Sequence, residues 1–255
     1  MDWQDDKGPT KIGAFHRSHK TFMTDTGTRK HSTHQVRQIV EALEEQIVLG
    51  WLLPRERIVE DKLAAEFDCK KHVVREAIFE LERMGLVEHV PNKGASVRVL
   101  SPIEVQQIYS VREVLEVLAA EQIPLPGTTG FVEELARIQQ AHARAVDAKD
   151  YRAAFHANME FHNHLFSACG NPYLAEMIRN SAQKVHGARF YTSASDTHLS
   201  LARDEHAAMV VAIRNGEREA LVELCRKHLG PSLDTYLAAV RGFFRTAPDA
   251  EAKRT

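Results

Sequence analysis

The order of segments between about His34 and Leu100 restricts the fold more than any other feature of this sequence. Three amphipathic stretches with a helical period are followed by two short alternating stretches, and Gly85 separates the two kinds of pattern. Pro91-Asn92-Lys93-Gly94 has the composition of a hairpin turn. The predicted elements are a helix from Ser32 or Thr33 to Gly50, helices at 59–67 and 71–84, and strands at 86–90 and 95–100. Three helices and a hairpin in this order predict a winged helix-turn-helix.

The chain after Leu100 has a helical pattern throughout. Ser101 is a natural N-cap and Pro102 suits the first helical turn, so a helix is expected to begin here. Pro231 lies within the last predicted helix and is expected to kink or split it. The predicted helices are 102–122, 129–147, 150–169, 172–192, 198–215 and 217–244. The fold class is therefore mainly α, with a winged helix-turn-helix at 34–100 and an all-α bundle of about six helices at 101–245.

Two terminal segments lie outside these predicted domains. Residues 1–33 mix Gly, Thr, Ser, Lys and His without a period, which predicts a flexible arm, and residues 246–255 form a short tail. From Lys7 to Arg37, seven Lys and Arg residues stand against one acid, Asp25. A basic arm of this kind can add salt-dependent contacts to DNA phosphates.

Composition excludes several classes of protein. No run of about 18 apolar residues occurs, which excludes a transmembrane helix and predicts no membrane partner. The N-terminus lacks the apolar stretch of a secretory signal. The three cysteines, Cys69, Cys169 and Cys225, are far apart and form no metal-type pair. Reduced thiols and a cytoplasmic location are therefore expected.

The third predicted helix begins with a basic edge. Three basic side chains, one histidine and no acid lie between Cys69 and Arg75. Lys71 and Arg75 are four residues apart and share the face that a recognition helix turns to the major groove. A solvated cationic helix end is the alternative, but the order of the elements favours double-stranded operator DNA. The predicted DNA-contacting residues are Lys70, Lys71, His72 and Arg75 on the helix, with Lys93 and Gly94 at the hairpin tip.

The N-terminal domain resembles the GntR family of bacterial regulators. The resemblance covers about 65 residues and is carried by Glu56-Arg57-Ile58-Val59-Glu60, Leu63-Ala64, Val74-Arg75-Glu76-Ala77, Leu81-Glu82, Gly85-Leu86-Val87-Glu88 and Pro91-Asn92-Lys93-Gly94-Ala95. It implies that Lys71 and Arg75 contact operator bases and that the wing at Gly94 enters the minor groove. The family usually has Ser-Arg-Thr-Pro where this chain has Lys70-Lys71-His72-Val73, and Pro-Gly where it has Pro54-Arg55. A different operator sequence is expected, because Lys lacks the fork of Arg.

Four polar side chains of the predicted bundle suggest a metal site. Asn158 and His162 are four residues apart on one helical face, and His206 and His228 lie on two later helices. Imidazole nitrogens with one amide oxygen suit Zn²⁺, Ni²⁺ or Mn²⁺. The chain has 14 histidines, so such spacings also arise by chance. Core histidines that are only hydrogen-bonded are therefore the alternative.

The second domain resembles the FCD effector domain of the FadR-type GntR subfamily. The resemblance runs from about Ser101 to Phe243 and rests on Asn158-Met159-Glu160-Phe161-His162, Gly170-Asn171-Pro172-Tyr173-Leu174, Asp204-Glu205-His206 and Gly216-Glu217 with His228. It implies a divalent metal on Asn158, His162, His206 and His228, although Asp is commoner at the first position. It also implies a place at the pocket or the domain junction for Arg112 and Glu116.

These features support three hypotheses of function. The first is a homodimeric regulator, more often a repressor in this family, whose operator affinity falls when a small carboxylate binds metal and Arg112 in the bundle. Arg189 is a second candidate for the effector contact. The second hypothesis keeps DNA binding but makes the bundle a constitutive dimerisation domain without metal or effector. The third, a metal-dependent enzyme, lacks a positioned base, because Glu160 points away from His162, so no enzyme is expected.

Overall fold

The computed structural model describes residues 26–90, 94–193 and 195–245. The helices within these ranges are α1 (Thr26–Val48), α2 (Glu60–Glu66), α3 (Lys71–Met84), α4 (Pro102–Gln122), α5 (Thr129–Asp147), α6 (Tyr151–Ser167), α7 (Pro172–Lys184), α8 (His186–Ser193), α9 (Asp196–Asn215), α10 (Arg218–His228) and α11 (Gly230–Arg245). The strands are β1 (Val87–Val90) and β2 (Gly94–Val97). None of the described helices has the length and apolar content of a membrane span.

The first domain is the predicted winged helix-turn-helix. Helices α1 to α3 share one apolar core with the hairpin, in which β1 and β2 pair antiparallel with Val87 opposite Val97. Ile39 and Leu43 of α1 and Leu81 of α3 are buried at its centre. Burial of this stripe leaves the opposite, basic side of α3 facing solvent.

The second domain is the predicted all-α bundle. Its helix α4 begins with a capping box, in which the Glu104 backbone N–H donates to Ser101 Oγ and the Ser101 N–H donates to Glu104 Oε2. Pro102 occupies the first turn as predicted. The main core combines residues of α4, α5, α6, α7, α9 and α10. The site described below lies among α5, α6, α9 and α10.

Helix α1 also packs on the bundle, so it belongs structurally to both domains. Glu44 Oε1 lies 2.5 Å from Nδ1 of the buried His186 on α8. Glu45 accepts from Arg152 of α6, and its Oε1 lies 2.8 Å from His156 Nε2. The end of α1 is therefore held on the bundle, while the middle of α1 packs on α3. Helix α1 thus links α3 mechanically to the bundle.

Two predicted boundaries were wrong, and one expected split is confirmed. Helix α1 begins at Thr26 rather than at Ser32 or Thr33, because a capping residue only favours a start and does not break a helix, so the predicted arm at 1–33 extends too far. The predicted helix 172–192 is two helices, since the chain turns inward at Val185 and His186, which are both buried. As expected from Pro231, the predicted helix 217–244 is split at Leu229, where Gly230 and Pro231 begin α11. The bundle accordingly has eight helices among its described residues instead of about six. Residues 1–25, Lys93 and the tail 246–255 lie outside the described residues.

Candidate functional site

The basic edge predicted from the sequence lies at the exposed start of α3. Lys70 is the extended N-cap residue, and Lys70, Lys71, His72 and Arg75 are all exposed. Lys71 Nζ lies 2.6 Å from Asp61 Oδ1, and Arg75 Nε donates to Glu60 Oε2 at 2.8 Å. Two acids of α2 thus hold the two cations that lie one helical turn apart. Exposed ion pairs of this kind are weak, typically about 0–1 kcal/mol, so they can be exchanged for other partners.

The wing begins at Gly94, the first residue of β2. Its φ of 81° lies in the left-handed region, where side chains are strained. A Cβ placed here would meet no atom of the described residues within 4 Å, its chain neighbours left aside. The backbone conformation at the hairpin tip, rather than close packing, therefore favours glycine.

Three of the four predicted metal ligands converge inside the bundle. His162 on α6, His206 on α9 and His228 at the end of α10 place their ligand nitrogens within 4.8 Å of one another. His228 Nε2 lies 3.2 Å from His162 Nε2 and 3.4 Å from His206 Nε2. The ring of Phe161 stacks on His206 at 4.1 Å between centroids and fixes its plane.

Burial keeps two rings of this cluster, His162 and His206, neutral. The pKa values of His162 and His206 are well below the ordinary value, first because burial disfavours the charged ring and second because His228 is close. Glu205 Oε2 lies 2.6 Å from His228 Nδ1. A carboxylate at this distance places a proton on Nδ1, and in the neutral ring the lone pair of Nε2 is then directed at the other two rings.

Asn158, the fourth predicted ligand, is buried one helical turn before His162. Its Nδ2 has no hydrogen-bond partner within the described part of the chain. Asn158 lines a small cavity of about 40 Å³ together with His142, His198 and Arg189. The structure therefore places the Asn158 amide at a cavity that is lined by other polar side chains as well.

The predicted effector contacts, Arg112 and Arg189, line a second small cavity of about 20 Å³ with His162. Arg112 is buried and paired with Glu116, whose Oε1 lies 2.8 Å from the guanidinium Nη2. Burial, and then the nearby Arg112, lower the pKa of Arg189 to about 10. Among the described residues that line this cavity, three arginines, Arg112, Arg179 and Arg189, stand against one carboxylate, Glu116, and an anion would stabilise this positive charge.

Sequence reasoning missed His142, Glu205 and His198 as members of this centre. His142 is fully buried, and neither of its ring nitrogens has a hydrogen-bond partner in residues 26–90, 94–193 and 195–245. Its ring lies 4.9 Å from that of His206. A signal was available, because His142 falls on the apolar stripe of α5 that contains Leu135 and Ile138. A histidine on the buried stripe of an amphipathic helix is a candidate for a polar centre.

The buried His142 and the half-buried His198 predict acid sensitivity in the metal-free protein. Burial is the main cause that lowers the pKa of His142 and of His198 from 6.5 to about 4. As the pH falls below about 6.5, these histidines bind protons in the unfolded chain but not yet in the folded one, so the folded state loses stability. Each residue is therefore expected to remove at most about 3 kcal/mol of unfolding free energy between pH 6.5 and 4. Urea titrations at several pH values measure this loss, and His198→Gln should flatten the profile; a flat wild-type profile contradicts the prediction.

The architecture now defines a class of protein: a DNA-binding regulator with an exposed basic helix and a separate bundle with a buried polar centre. Residues 35–97 match the gntR family of bacterial regulatory proteins, and residues 107–230 match the FCD domain. The chain belongs to the GntR family, in the group that carries an FCD domain.

Relatives with known names agree with this assignment. The HTH-type transcriptional regulator YdhC of Bacillus subtilis (strain 168) is 25% identical over 184 residues, covering 72% of this chain and 82% of YdhC. The gluconate operon transcriptional repressor of Bacillus licheniformis is 25% identical over 189 residues, covering 71% and 76%. These relatives are transcriptional regulators, and the chain is a transcriptional regulator rather than an enzyme.

Solved structures show the same fold. McbR/YncC of E. coli superposes with a TM-score of 0.68 at 18% identity, covering 80% of this chain and 98% of McbR. A GntR regulator from Rhodococcus sp. RHA1 superposes with a TM-score of 0.71 at 22% identity, covering 82% and 100%. The arrangement of the two domains is therefore one that other GntR proteins share.

Proposed function

We propose that this protein is a homodimeric repressor whose operator affinity is lowered by a small carboxylate bound, with a divalent metal, in the FCD bundle. Lys70, Lys71, His72 and Arg75 would face the major groove, and the wing at Lys93 and Gly94 the adjacent minor groove. The exposure of the basic edge of α3 supports this role. On DNA, phosphates and base edges would replace Glu60 and Asp61 as partners of these cations.

The histidine cluster fits a metal better than a purely hydrogen-bonded core. With Nδ1 of His228 engaged by Glu205, its Nε2 has one lone pair and can accept one hydrogen bond. Two other Nε2 atoms lie against it, at 3.2 and 3.4 Å. Two nitrogens on a common metal at about 2.1 Å are themselves about 3.0–3.4 Å apart. The proposal rests on this observation: the distances from His228 Nε2 to the other two Nε2 atoms match those between nitrogens that bind one metal.

Neutral imidazoles and the Asn158 oxygen would hold Zn²⁺, Ni²⁺ or Mn²⁺. When bound, the metal would supply a positive centre that stabilises a carboxylate nearby. Glu205 would orient His228 through Nδ1, and Phe161 would fix the plane of His206. Arg112 and Arg189 would favour an anion over a neutral ligand.

A surface on α4 and α7 supports the homodimer. Exposed apolar side chains follow one face of α4 and continue onto the adjacent α7, and an open groove of about 560 Å³ lies between these helices. The exposed residues are Ile103, Val111, Val114, Leu118, Tyr173 and Met177. Contiguous apolar patches of this kind mark interaction sites, and two copies of the patch would cover each other.

Gel retardation tests the proposed function. Metal-free and Zn²⁺-loaded protein are titrated against DNA selected from random fragments by binding, and a panel of small carboxylates is then added. We expect retardation in both states and release only with Zn²⁺ and a carboxylate together. Retardation that no metal or carboxylate alters supports the constitutive dimerisation bundle instead. Absence of binding to every fragment at low salt overturns the DNA-binding role.

Val114→Asp is expected to break the dimer. It places a charge at the centre of the apolar patch, where burial without a partner is costly. Size-exclusion chromatography with light scattering should give a mass that falls from twice 28.8 kDa to 28.8 kDa. Val211→Asp, at an exposed valine of α9 outside the patch, is the control and should stay dimeric. An unchanged mass for Val114→Asp would place the interface elsewhere.

A further inference from the structure

The cavity of about 40 Å³ beside the histidine cluster contains several buried polar atoms without partners. Both ring nitrogens of His142, Nδ2 of Asn158 and Nδ1 of His198 have no hydrogen-bond partner among the residues that the structure describes. His142 is fully buried and Asn158 is 9% exposed. Unpaired buried polar atoms are costly, about 1–3 kcal/mol each, and so many around one cavity indicate a polar occupant.

The residues that line this cavity favour an anionic group of the size of a carboxylate. Arg189 lines this cavity and also the neighbouring one that contains Arg112 and His162. No acid is among the described residues that line the 40 Å³ cavity. Its volume holds a few atoms rather than a large metabolite. A single carboxylate group, accepting from N–H donors, matches both the charge and the size.

We propose that Asn158 uses its amide for two ligands at once, with Oδ1 on the metal and Nδ2 on a carboxylate in this cavity. His142 and Arg189 complete the carboxylate site. This inference rests on the proposed function and identifies where its effector binds. An aspartate at position 158 could hold the metal but has no N–H to donate, and its charge would repel the carboxylate. Asparagine is therefore the residue that couples the two ligands.

The cavity also contacts the DNA-binding domain. Val48, the last residue of α1, forms part of its wall. Further along α1, Ile39 and Leu43 pack in the core that contains Leu81 of α3. An occupant of the cavity therefore touches the helix that supports the DNA-reading helix. Binding could alter the position of α1 without any change transmitted through the rest of the bundle.

Two affinities measured on the full chain test this inference: Zn²⁺ by competition with a chelating dye, and fluoroacetate by ¹⁹F NMR. For Asn158→Asp we expect Zn²⁺ affinity equal to or tighter than wild type and fluoroacetate affinity at least about tenfold weaker. His142→Phe, which keeps the ring volume, should weaken fluoroacetate about fivefold or more and change Zn²⁺ affinity less than twofold. Gln38→Glu is the matched control, because it makes the same amide-to-carboxylate change at an exposed site of α1, away from both cavities. Circular dichroism melting confirms that each variant folds.

Each outcome decides the inference. Unchanged fluoroacetate affinity in Asn158→Asp, loss of Zn²⁺ in that variant, or no fluoroacetate binding by Zn²⁺-loaded wild type overturns it. If another carboxylate still releases operator DNA from both variants as from wild type, the proposed function stands and only this cavity assignment fails. If wild type binds neither Zn²⁺ nor any carboxylate, both fail together.

Discussion

His206→Ala is expected to weaken Zn²⁺ binding by about 100-fold or more. Three imidazoles converge on one point, and His206 is the fully buried one, held by the stacked ring of Phe161. Its loss would remove one ligand, and a structural zinc site of four ligands is worth about 10–16 kcal/mol in all, so each contributes several kcal/mol. Competition with a chelating dye measures the affinity, and elemental analysis of the purified protein measures the occupancy.

Two further variants separate a metal site from a hydrogen-bonded core. Glu205→Gln keeps the size of the side chain but weakens its hold on His228, and it should lower Zn²⁺ affinity about 10- to 100-fold. His89→Ala removes an exposed histidine of β1 and should change nothing. Stoichiometric, tight Zn²⁺ in His206→Ala would show that the metal binds elsewhere and would leave the cluster as a hydrogen-bonded core.

Arg75→Ala is expected to lower affinity for selected operator DNA about 5- to 150-fold, the range for loss of one arginine contact to a base. Arg75 is exposed on the same face as Lys71, and its present partner, Glu60, would be left as an unpaired acid beside the phosphates. Affinity for unrelated DNA should fall much less, because that binding depends on total charge. Fluorescence anisotropy in a series of salt concentrations measures both affinities.

Arg83→Ala provides the matched control for this experiment. Arg83 is also exposed and paired with a glutamate, Glu80, but it lies at the opposite end of α3. Its removal subtracts the same charge from the same helix. Equal losses for Arg75→Ala and Arg83→Ala would mean that α3 contributes only overall charge, and the assignment of the reading edge would be wrong.

Local patterns predicted most of the fold. The apolar stripes and the turn residues around Gly85 and Gly94 located the helices and the hairpin of the first domain. Ser101 and Pro102 correctly marked the start of α4. These features depend on neighbours in the chain, which a single sequence displays. The break at Val185 was not predictable in this way, because it depends on where His186 meets Glu44 of a distant helix.

By itself, the sequence determined the two domains, the basic edge of α3 and the residue types of a possible metal site. It could not bring those residues together. Only the tertiary structure decided that His162, His206 and His228 meet, that Glu205 engages His228, and that Arg112 pairs with Glu116. It also added His142 to the site and joined the cavity to α1. The physical reason is that helix propensity and capping act over a few residues, whereas the site is formed by helix packing between segments far apart in the chain.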